Sequence, residues 1–125
     1  MHKKAKMAYT FRDIKVWQKA HELVLEIYKV TKNFPTEERY GLTAQLRRSA
    51  ASVATNIVEG YKRRSNKDFA HFLDMADSSL EETKYHVLLA HDLQYVGKSD
   101  YERLSVLADE VGRMLYGFQK TLSSS

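Results

Sequence analysis

The stretch from Ser65 to Val96 reads SNKDFAHFLDMADSSLEETKYHVLLAHDLQYV, and apolar or small residues recur in it at alternating spacings of four and three. This alternation places side chains on one face of an α-helix through three heptads, where they can pack on other helices. Ser65, with Asp68 three residues later, is typical of an N-cap with a capping box. We predict a long helix that starts after Ser65 and ends before Gly97. Its stripe consists of Phe69, Leu73, Ala76, Leu80, Thr83, Val87 and Ala90.

The flanking sequence repeats the pattern on both sides. Thr10 with Asp13, and Ser99 with Glu102, are further capping-box candidates. The helix after Thr10 is expected to end near Asn33, before the only proline, and the helix after Ser99 to reach the serine-rich tail. The first stripe contains Trp17, Leu23, Ile27, Val30 and Phe34. The last contains Leu104, Ala108, Val111, Leu115, Phe118 and Leu122.

One more stripe lies between these helices and predicts a helix over roughly 42–64, with Gly60 close to its end. It consists of Leu42, Leu46, Ala50, Val53, Ile57 and Tyr61. Gly112 and Gly117 fall inside the last helix, where they either permit close helix approach or only add flexibility. Long helices with one apolar face and short connections are what an antiparallel, up-and-down four-helix bundle requires. The fold class is therefore all-α, with one domain over 1–125 and flexible ends at 1–10 and 123–125.

Composition narrows the class of protein. A chain of 125 residues can bury a core of its own. It has no cysteine, which excludes disulfides and thiolate chemistry and fits a reducing compartment. No apolar run approaches the ~18 residues of a membrane span, and the start, Met1 to Lys6, lacks the apolar stretch of a signal peptide. We expect a cytoplasmic protein with no membrane segment.

Charge is distributed unevenly along the chain, although the net formal charge is only +4. From Arg39 to Arg64 six bases face one acid, Glu59, which gives a net charge of +5. From Asp68 to Glu110 ten acids face three bases, which gives −7. Such asymmetry suits an anionic ligand, and it equally suits head-to-tail self-association.

The outer faces of the second and third helices are candidates for that self-association. Small residues, Ala51, Thr55 and Val58, lie among arginines on the second helix, where they either admit another surface or only propagate helix. The third helix carries an acidic and partly apolar outer face that includes Asp74, Glu81 and Leu89. The two faces are complementary, so we predict that they meet between subunits of a homo-oligomer.

Catalytic and metal-binding patterns are missing from the sequence. A di-iron bundle needs paired Glu-x-x-His motifs, whereas Asp68-x-x-His71 is the only acid-x-x-His here. The remaining helical histidines, His21, His86 and His91, are interpreted as surface residues. Nothing places a serine, a histidine and an acid together, and Gly97-Lys98-Ser99 lacks the earlier glycine of a phosphate-binding loop. We predict no metal, no cofactor and no enzyme activity.

Several motifs nevertheless resemble those of a known family, the small four-helix bundle proteins encoded in intervening sequences of bacterial 23S rRNA genes. The resemblance covers residues 11 to about 120. One departure is that many relatives have a proline near Ala54, where this chain has none. The matching motifs are Trp17-Gln18-Lys19-Ala20, Phe34-Pro35, Tyr40-Gly41-Leu42, Gln45-Leu46-Arg47-Arg48-Ser49-Ala50, Asn56-Ile57-Val58-Glu59-Gly60, Phe69-x-x-Phe72-Leu73 and Ser79-Leu80-Glu81-Glu82.

The resemblance implies a homopentameric ring and kinship with accessory proteins of diversity-generating retroelements, which bind nucleic acid and a reverse transcriptase. The leading hypothesis is therefore a scaffold or adaptor that binds RNA or DNA through phosphate contacts. The contacting residues would be Arg47, Arg48, Lys62, Arg63 and Arg64, with the amino-terminal lysines Lys3, Lys4 and Lys6. Arg47 or Arg48 could equally pair with Glu59 or another acid. The alternative function is a protein interaction module that uses its charged faces for assembly and partner docking.

Overall fold

The computed structural model describes residues 10–123, and within them it contains four α-helices, two short 3-10 turns and no β-strand. The all-α prediction is confirmed. The 3-10 turns are Phe11–Asp13 and Thr36–Glu38. The helices are α1 (Lys15–Thr31), α2 (Leu42–Tyr61), α3 (Asn66–Asp92) and α4 (Lys98–Ser123).

The helices pack as a four-membered ring of neighbours. α1 lies against α2 and α4, and α3 lies against the same two helices. Short connections reverse the chain after each helix, so consecutive helices run antiparallel. As a result, one end of the bundle contains the start of α1, the α2–α3 connection and the end of α4. The opposite end gathers the α1–α2 and α3–α4 connections.

The predicted stripe of α3 forms the centre of the core. All seven of its residues are buried, and Phe69, Leu73 and Leu80 are among the largest side chains shielded almost completely from solvent. The other stripes are buried as well, except at their margins, where Trp17, Tyr61 and Phe118 are only half-buried. These aromatic side chains lie towards the same end of the bundle, where the core is closed by partly exposed rings.

Capping explains where α3 begins, and a left-handed residue explains where it ends. Ser65 accepts a hydrogen bond from the amide of Asp68 at 3.1 Å, as predicted. The helix ends at Asp92 because Gln94 adopts a φ of 69°, and the Tyr95 amide then donates to the carbonyl of Ala90 at 2.9 Å. This is the geometry of a Schellman motif, with glutamine in the position that glycine usually takes. The helix thus ends before Gly97, as predicted, but the left-handed residue that ends it is Gln94.

The start of α4 also differs from the prediction. The helix begins at Lys98, and the carbonyl of Gly97 accepts from the Tyr101 amide at 2.9 Å. Ser99 lies in the first turn instead of capping it. Glu102 pairs with Lys98 at 3.8 Å, so the expected capping box at Ser99 is wrong.

The predicted capping box at Thr10 is present, but it caps a different element. The Thr10 hydroxyl accepts from the Arg12 amide, and the Asp13 carboxylate accepts from the Thr10 amide. Both bonds close the 3-10 turn, after which Ile14 is extended and α1 begins at Lys15. The α-helix therefore begins about one turn later than the capping pattern at Thr10 predicts.

α2 ends at Tyr61, slightly before the predicted boundary, and runs without interruption through Ala54. Its first turn is held by a side chain from the preceding connection. Glu38 accepts from the Leu42 amide at 2.9 Å, and its other carboxylate oxygen accepts from the Tyr95 hydroxyl at 3.0 Å. That hydrogen bond is the main reason why the pKa of Tyr95 is raised. Glu38 therefore joins the two connections at one end of the bundle.

The predicted flexible ends lie outside the described residues except for Thr10 and Ser123, which belong to the first cap and to α4. The lysines at positions 3, 4 and 6 also lie outside them. Among residues 10–123, no helix combines the length and apolarity that crossing a membrane would take.

Candidate nucleic-acid interface

The predicted basic residues do not form one cluster, because α2 separates them. Arg47 and Arg48 lie in the second turn of α2, whereas Lys62, Arg63 and Arg64 follow its last residue, Tyr61. With a rise of 1.5 Å per residue, the two groups lie about 20 Å apart along the helix axis. The two groups also differ in their contacts.

Arg47 connects α2 to α1. Its Nε donates to the Thr31 hydroxyl at 2.8 Å, and its guanidinium carbon lies 4.5 Å from the centre of the Tyr28 ring. Thr31 is buried and also donates to the carbonyl of Ile27. Because the guanidinium is engaged by a hydroxyl and a ring, its position is set by the packing of the bundle.

Arg48 connects α2 to α3. It forms an ion pair with Glu82 and donates to Gln45 at 3.1 Å. Glu82 also lies beside His86, whose pKa is lowered because the ring is mostly buried. The pairing with an acidic neighbour that the sequence left open is therefore observed for Arg48, but the acid is Glu82. Glu59 itself is exposed.

Lys62, Arg63 and Arg64 are exposed, and none of them forms an ion pair with another residue of the range 10–123. Arg63 lies 4.4 Å above the ring of Phe72, which α3 presents in its second turn. Without an acidic partner among residues 10–123, these cations are accessible to an anionic ligand.

Other helices add cations to the same end of the bundle. We call the resulting set the basic end, and it contains seven bases, Arg12, Lys15, Lys62, Arg63, Arg64, Lys67 and Lys120. Within residues 10–123 three acids lie at this end, Asp13, Glu59 and Asp68, so the net charge of its described residues is 7 − 3 = +4. Asp13 also serves the cap at Thr10. The charge asymmetry of the sequence thus becomes a charged end in three dimensions.

The predicted interface residues of α2 lie on the outer side of the bundle. Ala51 and Val58 are half-buried and Thr55 is exposed. They share a helix face with Arg47, which contacts α1. The opposite edge of α2 faces α3 instead, where Ser52 and Ser79 share a hydrogen bond of 2.8 Å.

The predicted interface residues of α3 point in more than one direction. Asp74 accepts from Gln119 of α4, and Glu81 pairs with Lys84 at 3.4 Å. Leu89 is half-buried. Because Asp74 and Glu81 already have partners inside the chain, contact between the two predicted faces stays a prediction for the assembled protein.

Sequence patterns did not reveal the polar contacts inside the α2–α3 pair. Ser49 and Thr83 are fully buried, and the Thr83 hydroxyl donates to Ser49 at 2.9 Å. His86 approaches the same serine at 3.3 Å, and Asn56 donates to the carbonyl of Ser52 at 2.9 Å. The bond of Asn56 is partly buried. Thr83 occupies a heptad position. Such a position predicts that the side chain packs in the core, but it does not predict a hydrogen bond.

The histidines do not assemble a metal site, and within residues 10–123 no group of three or more metal-ligating side chains is present. His21 and His71 are exposed, as expected. His86 and His91 are half-buried instead, because each makes a structural contact. His91 shares a hydrogen bond with the carbonyl of Val96 at 2.9 Å and stacks on Tyr101 with ring centres 4.3 Å apart.

A cavity of about 430 Å³ lies between α3 and α4. Its carboxylates, Glu81 and Asp109, both pair with Lys84, at 3.4 and 3.1 Å. The floor is apolar and includes Leu23, Val87 and Leu104. These paired charges hold α3 to α4 and do not form an arrangement of nucleophile and base.

Comparison with known proteins agrees with this architecture. The crystal structure of a protein of unknown function from the S23 ribosomal protein family of Bacteroides thetaiotaomicron VPI-5482 is similar, with a TM-score of 0.75 and 27% sequence identity. The similarity covers 84% of this chain and 98% of that one. No protein with a curated description matches the chain. The sequence model of the family described as 23S rRNA-intervening sequence protein matches residues 12–117. The chain therefore belongs to the family of 23S rRNA-intervening sequence proteins.

Proposed function

We propose that this protein binds RNA or DNA through its basic end, as a non-enzymatic scaffold or adaptor in the cytoplasm. The observation that carries the proposal is the exposure of Lys62, Arg63 and Arg64, unpaired with any acid of residues 10–123, at an end where other helices add further cations. Arg47 and Arg48 are assigned structural roles, because both are engaged by neighbouring helices.

The chemistry of such a surface determines the kind of binding. Lysine and arginine side chains contact phosphates, and each phosphate they neutralise releases a condensed counterion. Binding through these contacts is strongly dependent on salt and nearly independent of base sequence. A family whose name records a gene location does not by itself specify a target, so the electrostatics of the basic end carry the argument.

The test compares two triple variants that remove the same charge. Lys62→Ser, Arg63→Ser and Arg64→Ser are combined in one variant. The control combines Lys29→Ser, Lys32→Ser and Arg39→Ser, three exposed cations towards the opposite end of the bundle. Binding of the unchanged protein to a labelled duplex and to single-stranded RNA is first measured at ~50 mM salt and then at rising salt.

We expect the basic-end variant to bind weakly and its logarithmic salt dependence on duplex DNA to fall by up to about 2.7, at ~0.9 per lost phosphate contact. The control variant should keep the salt dependence of the unchanged protein. Absence of binding by the unchanged protein at ~50 mM salt, or equal losses in the two variants, would contradict the proposal.

A second candidate function is protein interaction, and large apolar side chains left exposed on the described surface favour it. Val106 and Tyr116 of α4 are 65% and 66% exposed, and Leu25 of α1 is 56% exposed. Exposed apolar side chains mark a contact surface where they form a contiguous patch. The occupants we propose are other copies of the chain, in the homopentamer that the family resemblance implies, and a protein partner such as a reverse transcriptase. Light scattering at micromolar concentration tests the assembly, and a monomer would contradict it.

A further inference from the structure

Two aromatic side chains at the basic end lie beneath planar groups that are themselves exposed. The guanidinium carbon of Arg63 lies 4.4 Å from the centre of the Phe72 ring. The imidazole of His21 lies parallel to the ring of Trp17, at 4.9 Å between centres and 9° between planes. Arg63 and His21 are exposed, whereas Phe72 and Trp17 are half-buried. Each pair therefore presents a planar group to solvent on a fixed aromatic support.

The aromatic residues of the two pairs lie on the two helices that flank α2. Trp17 lies in the first turn of α1, and Phe72 lies in the second turn of α3. α2 packs between these two helices, and its end leads directly into Lys62, Arg63 and Arg64. A strand of nucleic acid whose phosphates contact these cations would have a stacking surface within reach on both sides.

We propose that the preferred ligand of the basic end is a single strand, RNA or DNA, whose unstacked bases stack on Arg63 and on His21. This inference rests on the proposed function, since the same cations hold the phosphates. Bases of a single strand stack readily on aromatic rings and on arginine guanidinium planes. In a duplex the faces of the bases are covered by their neighbours, so a closed duplex offers only phosphates to this surface.

The supports make the stacking surfaces rigid before a ligand arrives. Phe11 packs edge-on against Trp17 at 4.9 Å, and a Cβ added to Gly60 would lie 2.9 Å from the Cβ of Phe72, which shows how tightly α2 and α3 enclose that residue. Less side-chain freedom is lost on binding when the groups are already held in place. A solvated arginine without a ring beneath it lacks this advantage, and Arg64 is such a residue among the cations of the described chain.

The experiment measures binding of the whole chain by fluorescence anisotropy at one salt concentration. The probes are a single-stranded RNA, a single-stranded DNA and a dumbbell duplex closed at both ends, all with the same number of phosphates. We expect the better of the single strands to bind at least tenfold more tightly than the dumbbell, and the ranking of RNA and DNA identifies the source of the strand. Trp17 is the only tryptophan, so its emission should be quenched by the single strand and not by the dumbbell.

Charge-conserving variants separate stacking from phosphate contact. Arg63→Lys keeps the charge and loses the planar group, and Arg64→Lys is its matched control at the neighbouring position. We expect Arg63→Lys to weaken single-strand binding at least fivefold while dumbbell binding changes less than twofold, and Arg64→Lys to change neither. Equal affinity for strand and dumbbell, or equal effects of the two variants, would overturn the stacking proposal and leave the basic end intact. Failure of all three probes to bind would overturn the proposed function itself.

Discussion

α3 packs against α2 and α4 in two different ways. Towards α2 it meets small and polar residues, and the two helices approach closely at Gly60, where an added Cβ would lie 2.7 Å from the Phe69 ring. Towards α4 the contact leaves a cavity of about 430 Å³, and Lys84 bridges to Asp109 at 3.1 Å. One helix thus has one neighbour held by close packing and another held partly by long, flexible side chains.

The difference between these two contacts of α3 indicates which residues of the bundle tolerate substitution. A closely packed contact leaves no space for additional atoms. A larger side chain there displaces its neighbours from their positions. An ion pair between exposed lysine and carboxylate side chains contributes little to the free energy of unfolding. Removing one member of such a pair therefore costs little stability. Substitutions on the two sides of α3 should therefore differ in size, and some of them in sign.

The largest effect is expected at Gly60. In Gly60→Ala the new methyl group would lie 2.9 Å from the Cβ of Phe72 and still closer to Phe69, so the helices must move apart. Overpacking costs about 1–3 kcal/mol, and the better helix propensity of alanine returns about 1, which leaves a net loss of up to about 2 kcal/mol in the free energy of unfolding. Urea denaturation measures it.

The control is Gly117→Ala in α4, where an added Cβ would meet no atom within 4 Å. This variant should be more stable than the parent by about 1 kcal/mol, from helix propensity alone. If both substitutions stabilise the protein, the close approach of α2 and α3 at Gly60 is wrong. Of the two interpretations that the sequence left open for the glycines of α4, the structure offers no close contact at Gly117.

A smaller loss is expected from Thr83→Val. The substitution keeps the shape of the side chain but removes the hydroxyl that donates to Ser49 at 2.9 Å in a fully buried position. The same hydroxyl also donates to the Ser79 carbonyl at 2.8 Å, and the loss of this shared hydrogen bonding should lower the free energy of unfolding by about 1 kcal/mol. Thr55→Val, on the exposed outer face of α2, serves as control and should change it by less than about 0.5 kcal/mol. Equal effects would show that the buried polar contacts add nothing to the α2–α3 pair.

Acid should weaken the α2–α3 pair through His86. Burial lowers the pKa of His86, Arg48 lowers it further, and Glu82 opposes both. Because the folded protein holds this ring neutral, the unfolded chain binds more protons, and stability is lost as the pH falls below about 6.5. The stability that the neutral His86 ring contributes is fully present above that pH. In denaturation from pH 7.5 to 5.5, His86→Gln should flatten the decline, whereas His71→Gln, at an exposed position, should not.

The smallest effect is expected at the other side of α3. Lys84→Met removes the pairs with Glu81 and Asp109 but keeps an apolar stem over the cavity. Partly exposed ion pairs contribute little, so the free energy of unfolding should change by less than about 1 kcal/mol. Lys98→Met, which removes a pair that is 84% exposed at the lysine, provides the comparison. A loss at Lys84 as large as that at Gly60 would contradict the distinction between the two sides.

The sequence predicted the helices well because burial in a bundle follows the helical period. All seven residues predicted for the stripe of α3 are buried, and Ser65 caps the helix. The residue that ends α3 was missed because Gln94 takes the left-handed conformation that usually indicates glycine. Ser99 was misassigned because a serine one residue inside a helix gives the same local pattern as one at its boundary.

The candidate site was predicted only in part, because charge along the chain does not reveal pairing across helices. The basic block was visible in the sequence, but whether an arginine is free depends on neighbours far away in sequence. Arg48 meets Glu82, and Arg47 meets Tyr28, and neither contact has a local signal. Lys62 to Arg64 lie beyond the end of α2, and they pair with no acid among residues 10–123.

Glu38 has a consequence for how this protein opens. One carboxylate receives both the Leu42 amide and the Tyr95 hydroxyl, so the connections α1–α2 and α3–α4 are fastened to each other. At the opposite end the α2–α3 connection joins the same two hairpins through the backbone, but the start of α1 and the end of α4 lie there outside the fastening by Glu38. We expect amide exchange to begin at the end that carries the free cations and to reach the tied connections last. Local opening and ligand recognition would then share one end of the molecule, and a bound strand would slow exchange there first.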